Sequence, residues 1–238
     1  MGIKNLSIER VWNNYIGNIW YNLFVFFNLS KEGILVEIAP GEVNKIGLGL
    51  SKYNFSGTIY LVDICKNSLK KVVRKYKYSM PHAKIIPLCI PFGECFNYLP
   101  SKIDMLVSNH PLDDLIIGKS MSKKKINNFF SNHSNLLVSK TKKLWLDFES
   151  SKLNSLKIKR SVFDDWKNII KKINPSFVII SQYESYFFKK NNLLSPDKHA
   201  FDILKKLRKF YYDKEVCMKG KIENLIEYKR WLVLKMFK

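Results

Sequence analysis

The chain has 238 residues and a formal charge of +21, enough for one sizeable core and a single domain over 1–238. With 46% hydrophobic and 14% aromatic residues it is expected to fold and not stay disordered. No apolar run reaches the ~18 residues that span a bilayer, and no secretory leader pattern is present, so no membrane is expected and the cytoplasm is the expected compartment.

In chain order, residues 6 to 27 carry Ile8, Val11, Trp12, Tyr15, Ile16, Ile19, Trp20, Leu23 and Phe27 at three- and four-residue steps, the pattern of an amino-terminal helix within residues 1–30 docked on the domain body. The period then changes. Gly33 to Ile38 reads as a buried strand, followed by a Pro-Gly turn and a helix near Asn44 to Tyr53. Gly57 to Asp63 reads as a second strand, Lys66 to Lys77 as a helix, and Lys84 to Leu88 as a third strand. Ile103 to Ser108 reads as a fourth strand. A helical stretch over 113–173 is longer than a simple crossover needs and is a candidate substrate lid. Ser176 to Ser181 is the fifth strand and Asp197 to Tyr212 a helix; Glu215 to Ile222 and Arg230 to Phe237 are two further strand candidates. This alternation predicts an α/β fold with a mostly parallel sheet of about seven strands and helices on both faces. Ligands then bind at the carboxyl edge of the strands.

Three motifs fall on that edge. The first is Glu37-x-x-x-Gly41, where a residue without a side chain lets backbone approach a ligand and the carboxylate is free to face a cation or fix the loop. The second is Asp63, an acidic strand end of the kind that accepts hydrogen bonds from ribose hydroxyls, or one that caps the next helix. The third is Ser108-Asn109-His110-Pro111-Leu112. It resembles the Asn/Asp-Pro-Pro-Tyr/Phe signature of S-adenosylmethionine-dependent N-methyltransferases, and the chain resembles a class I methyltransferase with its Rossmann-like fold. The resemblance implies S-adenosylmethionine as cofactor, with Glu37, Ala39, Pro40, Gly41, Asp63, Ile64, Ile90 and Asn109 around it. It also implies a tetrad, Asn109 to Leu112, in which the Asn109 side-chain oxygen accepts a hydrogen bond from the substrate nitrogen.

Departures from the family pattern shape the substrate expectation. Ala39 and Val43 stand where glycines are common, and no Asp stands near Leu88 to Phe92, where the family contacts adenine. Leu112 replaces the aromatic that stacks on planar acceptors, which favours a small nitrogen such as an Asn or Gln side-chain amide in a peptide or protein. His110 is open to proton removal or loop packing. Asp113 and Asp114 are open to substrate binding or helix capping. Tyr183, in the polar-aromatic stretch after the fifth strand, and Trp20 are further substrate-wall candidates.

The charge keeps an RNA substrate open. Only five of the 41 basic residues are Arg, however, and Lys, Asn and Ile abound throughout, as A/T-rich codons would impose. A nicotinamide oxidoreductase would need G-x-G-x-x-G after the first strand, and Gly41, Gly47 and Gly49 are wrongly spaced for it. A non-catalytic methyltransferase-like scaffold subunit is a further alternative. Cys65, Cys89, Cys95 and Cys217 lack C-x-x-C spacing, and with four scattered histidines no metal site is expected.

Overall fold

A computed structural model describes residues 3–131, 138–222, 225 and 227–236, with backbone alone for 3–8, 123, 124 and 131. Apolar runs form five parallel strands, β1 (Ile34–Ile38), β2 (Thr58–Val62), β3 (Lys84–Leu88), β4 (Met105–Asn109) and β5 (Phe177–Ser181), of which β3, at the edge, is only half-buried. The last strand, β6 (Trp231–Lys235), pairs antiparallel with β5, and the order across the sheet is β3-β2-β1-β4-β5-β6. This is a Rossmann-like α/β fold.

The helices are α1 (Ile3–Phe26), α2 (Lys45–Lys52), α3 (Lys66–Ser79), α4 (Leu112–Lys119), α5 (Lys123–Ser131), α6 (Val138–Ser150), α7 (Lys152–Ile173), α8 (Tyr186–Lys190) and α9 (Leu194–Phe210). Strand residues alternate between two cores, as the two-residue side-chain period requires. Val36, Ile38 and Leu106 face α4, α6, α7 and α9, whereas Leu35, Met105 and Val107 face α1, α2 and α3. Among the described residues no helix is long and apolar enough to cross a membrane.

Helix α1 docks on α2 at backbone contact. A Cβ on Gly49 would lie 2.7 Å from the Cβ of Trp20 and 2.9 Å from the Gly17 carbonyl oxygen, and one on Gly17 would lie 2.8 Å from the Cβ of Leu48. This close approach drives Trp20 fully into the core, with its ring 5.4 Å from that of Trp231.

Among the described residues six strands form where the sequence suggests about seven. In the stretch from Glu215 to Ile222 only Glu215 pairs with Leu234. The Val216 N–H still reaches the Val233 carbonyl at 2.8 Å, but Gly220 turns the chain at φ +69°. Met218 and Ile222 then bury their side chains in the core instead of extending the edge. Phe237, the expected end of the last strand, lies outside the described residues.

The α1–α2 contact has a direct test. Gly49→Ala is expected to lower stability by about 1–3 kcal/mol, since the new methyl group meets backbone. Gly118→Ala, in α4 with nothing within 4 Å of its Cβ, is expected to raise it by about 0.5–1 kcal/mol. Urea midpoints of the two variants measure both.

Candidate active site

Strands β1 and β4 are neighbours, yet the chain leaves them for opposite faces of the sheet: β1 leads to α2 and β4 to α4. The crevice that opens at such a reversal is the ligand position of doubly wound sheets. Its walls are made of unusual backbone. Ala39, Gly41 and His110 all have left-handed φ, at +51°, +64° and +59°. For Ala39 and His110 this geometry costs about 1–2 kcal/mol each. Hydrogen bonds hold it in place: Ala39 donates to the Val62 carbonyl at 2.8 Å and His110 to the Ser181 carbonyl at 2.9 Å. Gly41 borders open space.

Two cavities meet at this crevice. The first, of about 470 Å³, is lined by Ala39, Gly41, Asp63 and Ile64 at the ends of β1 and β2, and by Ile90 to Glu94 after β3. Asp114 and Leu115 of α4, with Met121, Ile126 and Phe130 from the chain leading into and through α5, complete it. Asp63 ties the two loops together, because its carboxylate accepts the Gly41 N–H at 3.3 Å and the Cys65 N–H at 2.7 Å. Burial pushes this carboxyl up to about 6 against the opposing pull of those two bonds.

The second cavity, of about 440 Å³, contains Pro40, Lys45, Asn109, His110, Tyr183 and Trp12, with Tyr186 and Phe187 at its wall. Its polar centre is one connected network. The Trp20 indole N–H donates to Asn109 Oδ1 at 3.0 Å, and Ser181 Oγ donates to the same oxygen at 3.2 Å. An indole nitrogen is only a donor, so the Asn109 oxygen must face it. Asn109 Nδ2 therefore turns to the Tyr183 hydroxyl at 2.9 Å, where Lys45 Nζ also donates at 3.0 Å. With both lone pairs of its oxygen engaged, Tyr183 has its own O–H left to offer to a ligand.

Several residues read from the sequence as site residues sit elsewhere. Glu37 is buried on the α3 face, one strand position short of the edge, and receives the Tyr76 hydroxyl. It lines neither cavity; burial, countered in part by that hydrogen bond, pushes its carboxyl up to about 8. Leu112 and Pro111 pack into the sheet-helix core, so Leu112 does not occupy an aromatic's place against a ligand. Trp20 and Asp113 are likewise buried and touch neither cavity. Trp20 acts on the site only through Asn109. Asp113 pairs with His110 at 3.2 Å and receives Gln182 Nε2 at 2.9 Å. Burial raises the Asp113 carboxyl, but His110 and Gln182 lower it further, leaving it below the ordinary carboxylate range. Burial alone would depress the His110 imidazolium, and the Asp113 carboxylate outweighs this so that its pKa rises. The Asn109 oxygen, expected to meet substrate, is occupied by Trp20 and Ser181; its Nδ2 is the end that faces the cavity network.

Lys45, Trp12, Glu94 and Phe130 join the site without having been singled out as site residues in the sequence. Lys45 opens α2 just beyond the Pro-Gly turn, a position from which its side chain returns to the crevice. Trp12 belongs to the apolar stripe of α1, where periodicity alone does not separate a core ring from a cavity ring. Among the described residues no group of three or more His, Cys, Asp or Glu side chains is placed to hold a metal ion.

Neither a protein-family model nor a curated protein matches the chain. Among solved structures it is similar to the bifunctional kinase-methyltransferase WbdD, at 10% identity and a TM-score of 0.42 over 75% of this chain. The chain spans 30% of that protein's length. It is also similar to the plantazolicin methyltransferase BpumL, in complex with SAH, at 8% identity and a TM-score of 0.44, covering 95% of this chain and 84% of the other. Overlaps of this extent leave any assignment of activity to the geometry of the site.

The buried Glu37–Tyr76 pair gives a pH-dependent outcome. A carboxyl at about 8 in the folded chain and near 4.5 when unfolded holds its proton longer in the folded state. Stability from it is full below about pH 4.5 and is lost as pH rises toward 8, with a slope of at most roughly 1.4 kcal/mol per pH unit. Glu37→Gln is expected to flatten the thermal midpoint between pH 5 and 8. An unchanged slope in that variant excludes Glu37 as its source.

Proposed function

We propose that the chain is an S-adenosylmethionine-dependent methyltransferase acting on nitrogen, with a side-chain amide of a peptide or protein as its preferred acceptor. The observation that carries this reading is the junction of the two cavities, which share Ala39, Gly41, Ser68, Asp114 and Phe130 as common wall. Transfer of a group between two bound molecules needs such a meeting of two sites, where positioning supplies much of the acceleration.

The first cavity suits the donor. Its size falls in the ~300–1,000 Å³ range of cofactor sites, Asp63 has the acceptor chemistry for ribose hydroxyls, and Ile64, Ile90 and Phe92 offer apolar faces to a nucleobase. Its charge is also distinctive. In a chain of +21 its lining holds Asp63, Glu94, Asp114 and Asp165 against Lys119, a balance suited to a cationic ligand. Bound there, the donor supplies a methyl group on a sulfonium.

The second cavity suits an amide. The outward O–H of Tyr183 and the remaining N–H groups of Lys45 are donors for a carbonyl oxygen, and negative charge on that oxygen, as an amide nitrogen loses its proton, is stabilised by the ammonium. Asn109 acts as a positioning residue that holds Tyr183. The exposed ring of Tyr186, with Phe187 and Trp12, fits the apolar flanks of a peptide.

Methyl-labelled S-adenosylmethionine incubated with the protein and cell extract, followed by separation of peptide, protein and RNA, tests the whole reading. Label in peptide or protein is expected. Label confined to RNA overturns the acceptor class, and failure to bind either donor or demethylated product favours a scaffold. Asp63→Ala is expected to weaken donor binding at least tenfold in calorimetry. Asn109→Ala is expected to keep donor binding while transfer falls about 10²-fold, the scale of losing an oriented contact.

A further inference from the structure

Asp113 and Asp114 are adjacent on the first turn of α4, and the structure treats them oppositely. Asp113 is buried and fully engaged by His110 and Gln182. Asp114 opens into both cavities at their junction, and no hydrogen bond from another described residue reaches its carboxyl. The charged groups facing it are the Asp113 and Asp63 carboxyls on one side of the balance and His110 and Lys45 on the other. Burial first, then Asp113 and Asp63, push the Asp114 carboxyl well above the ordinary range, and the two cations offset this only in part. This environment disfavours the Asp114 anion relative to an ordinary carboxyl. An opposite charge within ~4–6 Å favours the anion, and the first cavity, which Asp114 lines, is where the donor reading places one.

We propose that Asp114, the unpartnered carboxyl at the junction of the two cavities, is the proton acceptor of methyl transfer, and that a sulfonium in the adjoining cavity favours its anionic form. This rests on the methyltransferase reading. The balance closes: the acceptor nitrogen's pair forms the new N–C bond, the pair of the broken C–S bond stays on sulfur as a neutral thioether, and the N–H proton goes to Asp114. The carboxyl is thus returned to its neutral form as the neighbouring positive charge disappears. A protein with the donor bound is primed as a base, and one with the product bound is not.

The experiment needs no acceptor. Binding of S-adenosylmethionine and of S-adenosylhomocysteine is measured by calorimetry at pH 7 in buffers of different ionisation enthalpy, which reads the protons exchanged. The sulfonium ligand is expected to release up to about one proton more than the thioether. Asp114→Asn is expected to abolish that excess, and this comparison cancels ionisation of the ligands themselves. Asp114→Ser, of different shape, is expected to do the same. Equal proton release for both ligands in the unaltered protein overturns the proposal, as does an excess that survives in the variants. If neither ligand binds, the methyltransferase reading itself fails.

Discussion

A single donor, the Trp20 indole N–H, sets the polarity of the second cavity. Because it can only donate, it fixes the oxygen of Asn109 inward and the amide nitrogen outward. Tyr183 then accepts twice and keeps its own proton to donate. The bond depends in turn on how deeply α1 sinks against α2, which Gly17 and Gly49 permit by having no side chains. Trp231 and Phe24 brace the indole at ring separations of 5.4 and 5.9 Å. The chemistry at the sheet edge is therefore coupled to packing in the core.

The strands and the edge they share were legible because parallel strands buried on both faces read as continuous apolar runs. The turn at Ala39 to Gly41, Asp63 and Asn109 were legible for a related reason: small, acidic and amide residues interrupt those runs just where the sheet ends. Side-chain direction was not legible. Glu37 shares its face with Leu35, and one position decides between a cavity wall and the Tyr76 hydroxyl. Asp113 and Asp114 differ by about 100° around the helix, which separates a buried ion pair from an open carboxyl. Tyr183 meets Lys45 across 138 residues of sequence, a distance at which no local pattern carries information. In the stretch from Glu215 to Ile222, strand-like composition yields to Gly220 and to the burial of Met218 and Ile222.

Charge is distributed with purpose in this lysine-rich chain. Two of its five arginines are structural: Arg230 grips Asp197 through both terminal nitrogens, at 3.1 and 2.9 Å, and Arg208 bonds Glu215 and the carbonyls of Lys229 and Trp231. These forks fasten α9 to the antiparallel edge strand, a task for which planar guanidinium suits better than ammonium. Carboxyls, scarce overall, gather where β1, β2 and α4 converge. The left-handed residues Ala39 and His110 frame the same place, held by hydrogen bonds to β2 and β5.

Beyond the residues they share, the two cavities draw on different stretches of chain. The first cavity adds the ends of β2 and β3 with α4 and α5, and the second adds α1, the start of α2, the end of β4 and the segment after β5. Trp12, Tyr186 and Phe187 belong to the second cavity alone. On the proposed reading, substitutions at those rings change acceptor preference without touching the donor cavity, so this architecture lets what is modified vary separately from what modifies it.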